Sequence, residues 1–531
     1  MTSPAAKAPT TVDPVPCLAV PPLSDAARHD ANARLARPTR AINHVIAYGQ
    51  SLSSGWEGWP ALSVVPHHDS LMLGGSVRPR NEAAPRWQPV GDATFLPLIA
   101  TVQPVGEGGL MTPEQVAALQ PRASPLGETV LEGALNTWRA RMLAMPGATP
   151  GANRLLASTC GVGGRSLEQL SKGAAPELFN RLRDCATAAK QAAATAGHDY
   201  GVTALLFLQG EHNNWGLNGS TADRIAYKAL LRRFRDDFLD DVAVGIAGQA
   251  TPSAMFMYQT GAAYSNETMS VPQAQLETAL EVPGCFLAAP VYPVTDKGGH
   301  LDANGYRWLG VQFGKVMHRV LTLGEDWKPL HPLRAVLDDR SLRVTFHVPV
   351  PPLAWGRPFI GHRAAEIADK GFSVVDDAGV VPILSVELDG ADAVRITLER
   401  TPGPEAVLRY AARRTAGRGC LHDSDDDTAE ACYAFDADSG HYPSAEIPEL
   451  VGRPYPLMNW CVGFALPIPP EPPSIVAHAP AALPEPPPAA EPPVTAATSA
   501  AWDILLGAGD VPVPAPRVGK VRQLLARLRG S

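Results

Sequence analysis

Four short polar clusters in this chain hold residue types that could carry out acyl transfer. They are Gly49-Gln50-Ser51, Gly161-Val162-Gly163-Gly164-Arg165-Ser166, Gln209-Gly210-Glu211-His212-Asn213, and the pair Asp296 and His300. Cleaving an ester with a serine requires a base to take the hydroxyl proton, a group that orients that base, and donors aimed at the developing oxyanion. Ser51 is the candidate nucleophile, His300 the base and Asp296 the orienting carboxylate. The backbone N–H groups of Ser51 and Gly164 are candidate oxyanion donors, and a side-chain amide from Gln209 or Asn213 is a third. Glu211 belongs to the same oxyanion and substrate-binding set by position, but an ionised carboxylate only accepts hydrogen bonds and cannot be the donor. Each residue also has a plain structural reading. Ser51 can cap the next segment, His300 can begin a helix, Asp296 can form a turn, and Gln209 and Glu211 can satisfy a strand end.

These clusters need a scaffold that brings them together. Ile42 to Gly49 is an apolar run too short for a helix, rich in β-branched residues and closed by a glycine that permits a tight turn. Comparable runs at 154–159, 203–208, 254–258 and 286–291 alternate with helical periodicity over 127–144, 176–196, the stretch carrying Ile225, Leu230 and Phe234, 271–280, and the stretch carrying Tyr306, Leu309, Phe313 and Val316. Strands alternating with helices predict βαβ units and a parallel sheet, here a three-layer α/β/α sandwich over 39–325. Every polar cluster then falls at the carboxyl end of a strand, on one shared edge.

Around this region the texture changes. Residues 1–38, rich in Pro, Ala and Thr, read as a flexible leader with one short helix near 26–36. The long irregular stretch 56–126 reads as a functional or decorative loop. Its His67-His68-Asp69 lacks the further ligands at defined spacing that a metal site needs, so no metal or other cofactor is expected. From 330 to 466, short β-rich runs separated by Asp and Gly turns predict a smaller β-sandwich-like accessory domain. A Pro-rich linker spans 467–499. The tail, 500–531, carries a basic amphipathic helix candidate suited to docking a protein partner or a membrane surface.

With a net charge of −8 and no dense basic block in its central region, the chain gives no electrostatic reason to expect a nucleic-acid partner. No apolar run is long enough to predict a transmembrane helix, and the first residues show no secretory h-region. Seven cysteines do not make a disulfide framework. Cys420 and Cys432 can pair in an oxidising compartment, and Cys160 reads as buried packing.

On Gly49-Gln50-Ser51, Gly163-Gly164-Arg165-Ser166, Gln209-Gly210-Glu211, Asp296 with His300, and the His300-to-Gly310 segment entering a helix, residues 42–322 resemble the SGNH (GDSL-like) hydrolases. The branch they are most similar to is that of the sialate O-acetylesterases and related carbohydrate acetylesterases. The resemblance implies a flavodoxin-like fold and a metal-free serine esterase that removes acetyl or another short acyl group from a carbohydrate or polysaccharide. The family spaces its acid three residues before the histidine and this chain four, which leaves a Ser–His pair without Asp296 open. Trp56, Trp59 and Trp215 can stack on sugar rings or pack in the core. Two other functions stay open: a non-catalytic carbohydrate-binding or structural module of a phage tail or secretion apparatus, and a lipase or thioesterase.

Overall fold

The computed structural model describes residues 30, 32–120, 123–440 and 442–468. These belong to one compact unit. Most of the leader with its short helix, the linker beyond residue 468 and the basic tail lie outside the described residues.

A seven-stranded sheet carries the polar clusters. In chain order its strands are β1 (Ile42–Gly49), β2 (Leu71–Leu73), β3 (Phe95–Pro97), β4 (Arg154–Thr159), β5 (Tyr200–Leu208), β6 (Ala254–Gln259) and β7 (Cys285–Pro290). The spatial order is β3-β2-β4-β1-β5-β6-β7, parallel throughout except for the β2–β3 edge pair. Without the β2–β3 insertion, the strands run second, first, third, fourth, fifth. This order places a topological switch beside β1, the location where such sheets bind ligands.

Five helices cover the sheet: α1 (Val130–Leu143), α2 (Asn180–Thr195), α3 (Arg224–Phe238), α4 (Ser270–Glu281) and α5 (Ala303–Met317). Successive residues of a strand point to opposite faces, and β1 divides accordingly. Val45 and Ala47 pack with Leu131 and Trp138 of α1 and Leu309 and Phe313 of α5. Ile46 and Tyr48 pack with Leu182 of α2, Phe234 of α3 and Ala274 of α4. Burial on both faces explains why the strands read as unbroken apolar runs. Helix starts follow local chemistry: Thr129 and Glu132 form a reciprocal capping box on α1, and the Asp302 carboxylate accepts from Gly305 N–H at the start of α5. Helices α1 and α5 cross closely at glycines. A Cβ on Gly310 would stand 2.4 Å from the Val130 carbonyl oxygen, so the helix that follows His300 has little freedom to shift.

The stretch 56–126, irregular by sequence, contains β2 and β3 and is fastened by Arg78. This guanidinium is fully buried and donates to the carbonyls of Gly127 and Thr101 and to the Gln103 side chain. Burial lowers its pKa to about 10, against the charges of Glu132 and Glu128, so it stays protonated at neutral pH.

The second region contains several antiparallel sheets. One four-stranded sheet joins β8 (His331–Asp338), β9 (Ser341–His347), β12 (Ile383–Leu388) and β13 (Ala393–Leu398). Another joins β10 (Phe372–Asp376), β11 (Gly379–Val381), β14 (Val407–Tyr410) and β17 (Phe464–Pro467). Val344, Ile396, Val374, Leu408 and Phe464 meet in one core between these sheets. Pro382 separates β11 from β12, so these consecutive strands fall in different sheets. Beyond the strands anticipated from the sequence, β15 (Thr428–Cys432) pairs antiparallel with β16 (Pro454–Pro456). Cys420 and Cys432 are both free thiols. No helix among the described residues is long and apolar enough to cross a membrane.

Candidate active site

Gly49 closes β1 at φ 145°, a conformation that strains any residue with a side chain, and a Cβ there would stand 1.9 Å from the Leu208 carbonyl oxygen. The sharp exit puts Ser51 at the start of a single 3₁₀ turn, Ser51–Ser53, over the strand end. Ser51 is 7% exposed. Its Oγ lies 2.9 Å from His300 Nε2, although 249 residues separate them. The turn is held from below by Ser53 Oγ donating to the Gln50 carbonyl and Thr159 Oγ1 donating to that of Ser53.

On its other side, His300 Nδ1 faces Glu57 Oε1 at 3.5 Å. Glu57 is the first carboxylate after Ser51 in the chain, in the loop that follows the 3₁₀ turn, and it takes the left-handed conformation (φ 62°) that non-glycine residues seldom adopt. Its neighbours enforce that geometry. Glu57 N–H donates to the Pro125 carbonyl, Ser124 Oγ donates to Glu57 Oε1, and Lys297 Nζ donates to the Glu57 and Trp59 carbonyls at 2.6 and 3.0 Å. Burial pushes the Glu57 carboxyl up, but the facing His300 ring, the charges of His300 and Lys297 and the Ser124 bond outweigh it, so its pKa is lowered overall. Lys297 also donates its backbone N–H to the His300 carbonyl at 2.7 Å. Its ammonium sits 4.4 Å from the ring centres of both Trp59 and Tyr442. Burial brings its pKa down to about 8, against the charges of Asp302 and Glu57.

Asp296 is occupied elsewhere. One carboxylate oxygen accepts from Arg418 Nη2 at 2.5 Å and the other from Gly298 N–H at 2.7 Å, and the carboxylate makes no ion pair with the His300 ring. It braces the short hairpin in which Asp296 bridges to Leu301, the hairpin that presents His300. The bridge spans the four-residue loop 297–300, of which His300 is the last residue, and the carboxylate that faces its ring is that of Glu57.

The two amides expected to complete an oxyanion site are both consumed internally. Gln209 Nε2 donates to Asn213 Oδ1 and the Arg165 carbonyl, while its Oε1 accepts from Tyr227. Asn213 Nδ2 donates to Glu168 and the Thr221 carbonyl, and Asn213 Oδ1 also accepts from Leu167 N–H. These amides lock the third strand end to the start of the segment after the second cluster. Glu211 is buried beneath the site, accepting from Tyr258 and Thr260, and burial raises its pKa despite those bonds. Gly163 N–H donates to Glu82. The N–H groups of Ser51 and Gly164 make no hydrogen bond among the described residues, and Gly164, at φ 64°, has open space where a Cβ would stand.

The tryptophans divide. Trp59 is a core residue, 1% exposed. The Trp56 ring tilts against His300 at 5.8 Å between centres. Trp215 is 42% exposed, with its indole N–H donated to the Tyr264 carbonyl and the Arg413 guanidinium 5.7 Å from its ring centre.

No protein-family model matches the chain, and no curated protein matches it in sequence. Among solved structures it is similar to a carbohydrate acetylesterase from Xanthomonas citri, with a TM-score of 0.43 and 15% identity over 71% of this chain and 77% of the other. It is also similar to a protein from Arabidopsis thaliana, with a TM-score of 0.35 and 14% identity over 52% of this chain and 99% of the other. At these values neither neighbour assigns a residue role or a substrate to this chain.

Proposed function

We propose that the chain is a serine esterase of the SGNH type that removes acetyl or another short acyl group from a carbohydrate. The observation that carries this reading is the 2.9 Å contact between Ser51 Oγ and His300 Nε2 at the carboxyl edge of a parallel sheet. In this reading His300 takes the Ser51 proton as Oγ attacks the ester carbonyl, and the same proton then goes to the leaving sugar oxygen. Water, activated by His300, releases the acid from the acyl-enzyme. Glu57 holds the ring with Nδ1–H toward itself and the Nε2 lone pair toward Ser51. Its 3.5 Å separation is longer than a formed hydrogen bond and shortens as the ring gains charge. The backbone N–H groups of Ser51 and Gly164 receive the oxyanion.

The narrow pocket between Leu52 and Gly299, the chain neighbours of the two reacting residues, is lined by Gly261, Ala262, Ala263 and Val291 together with the carboxylates Glu211 and Asp296, and in this reading it takes nothing larger than a short acyl group. Trp215, exposed beside Tyr264, supplies an aromatic face for a sugar.

The test is hydrolysis of p-nitrophenyl acetate by the purified chain beside its Ser51→Ala variant, followed by a chain-length series and acetate release from acetylated oligosaccharides. Activity that falls to background in Ser51→Ala and declines beyond short acyl chains is expected. Equal rates in the two proteins would remove the esterase reading, and a preference for long chains would replace it with a lipase or thioesterase.

A further inference from the structure

His67-His68-Asp69 lacks additional ligands in sequence, and the fold supplies one. Glu430, on β15, brings Oε2 to 3.2 Å from His68 Nε2 and 3.8 Å from His67 Nε2. The two imidazoles stack nearly parallel, 4.5 Å between centres and 6° between planes, and their ligand atoms and the carboxylate oxygen lie within 4.8 Å of one another. Two ligands bound tetrahedrally at about 2.0–2.1 Å stand roughly 3.3 Å apart, and because an imidazole ligates within its ring plane, the two stacked rings turn out of parallel when these atoms close on one ion. A hydrogen bond accounts for the 3.2 Å contact, but 3.8 Å is too long for a second one on the same oxygen.

The backbone around the three groups is held in place. Asp69 is no ligand, because it pairs with the buried Arg139 of α1 and accepts from Gly151 N–H, which anchors the histidine pair. Two residues along the same helix, Arg141 pairs with Asp427 at 2.6 Å, just before β15. One helix therefore fixes both halves of the cluster, and His68 is held in the left-handed region at φ 59°.

We propose that His67, His68 and Glu430 form a binding site for a borderline divalent ion of the zinc class, separate from the Ser51 site. Two imidazoles and one carboxylate suit zinc, copper or nickel over calcium or magnesium. The fourth position faces solvent. The ion ties the 56–126 loop, which also carries Glu57, to a strand more than 360 residues away in sequence.

The test is calorimetric titration of the untagged, metal-stripped full chain with zinc sulfate at pH 7.5, beside His68→Ala and Glu430→Gln, with thermal melts in each case. One saturable equivalent is expected in the wild type, with at least tenfold weaker binding in both variants and a melting temperature that rises by several degrees with zinc only in the wild type. Calcium should produce neither effect. Absence of saturable binding, or unchanged binding in both variants, would overturn the site. Esterase activity of metal-stripped His68→Ala reports on the Ser51 reading separately, so either proposal can fail alone.

Discussion

Glu57 and Asp296 differ in what they touch, and substitution should separate them. In Glu57→Gln the carboxylate that faces His300 becomes an amide able to donate to Nδ1 and favour the wrong tautomer. Turnover of p-nitrophenyl acetate should fall roughly 100- to 10,000-fold with little change in melting temperature. Retained turnover in this variant would return the assignment to a bare Ser–His pair. Lys297 acts through backbone carbonyls and not on substrate, so it is a positioning residue. Its folded pKa, about 8, lies below the ordinary lysine value of 10.5. Between these limits the folded protein holds fewer protons than the unfolded chain, so the contribution of Lys297 to stability rises with pH across that window. Unfolding of the wild type and of Lys297→Met, measured at pH 7.5 and pH 10, should show the wild type gaining on the variant by about 1–3 kcal/mol at the higher pH. A constant difference would show that the ammonium is not penalised in its aromatic cage.

At the scale of elements, the exit from β1 is the constraint that everything near the serine depends on. Gly49→Ala would place a methyl against the Leu208 carbonyl in a conformation hostile to side chains. A loss of about 3 kcal/mol or more in chemical denaturation is expected, along with most of the activity, because the turn carrying Ser51 has to move. Unchanged stability would mean that β1 and β5 can separate locally at this edge. The spent amides of Gln209 and Asn213 belong to the same scale: they tie loops to one another, which is how strand-end polar groups are usually satisfied when buried. Their motif lies at the carboxyl edge of the sheet, with both amide groups bonded inside the protein.

Across the whole molecule, the β-rich region reaches into the site through Arg418, whose guanidinium, nearly fully buried, pairs with Asp296. Removing one partner of such a pair leaves the other charged and dry. Asp296→Asn should therefore cost about 3–5 kcal/mol of stability in a denaturant series, while the protein that remains folded keeps much of its turnover. Loss of turnover without loss of stability would restore Asp296 as the orienting acid. The pair also shows why the second region is more than an appendage: the hairpin presenting His300 leans on it.

The sequence by itself determined strands β1 and β4 to β7 with helices α1 to α5, the edge where polar groups gather, and Ser51 and His300 as the residues to bring together. Those features follow from local periodicity and turn chemistry, which are written in neighbouring residues. The short strands β2 and β3 stayed hidden because three-residue strands in a proline-rich stretch carry too little pattern. Only the tertiary structure decided that Glu57 faces His300, that Asp296 answers to Arg418, that the Gln209 and Asn213 amides are spent, and that Glu430 meets His67 and His68. Each of these pairings joins a loop to a distant element, and its partner is set by which strand ends and loops the sheet brings into contact, information that no local spacing holds.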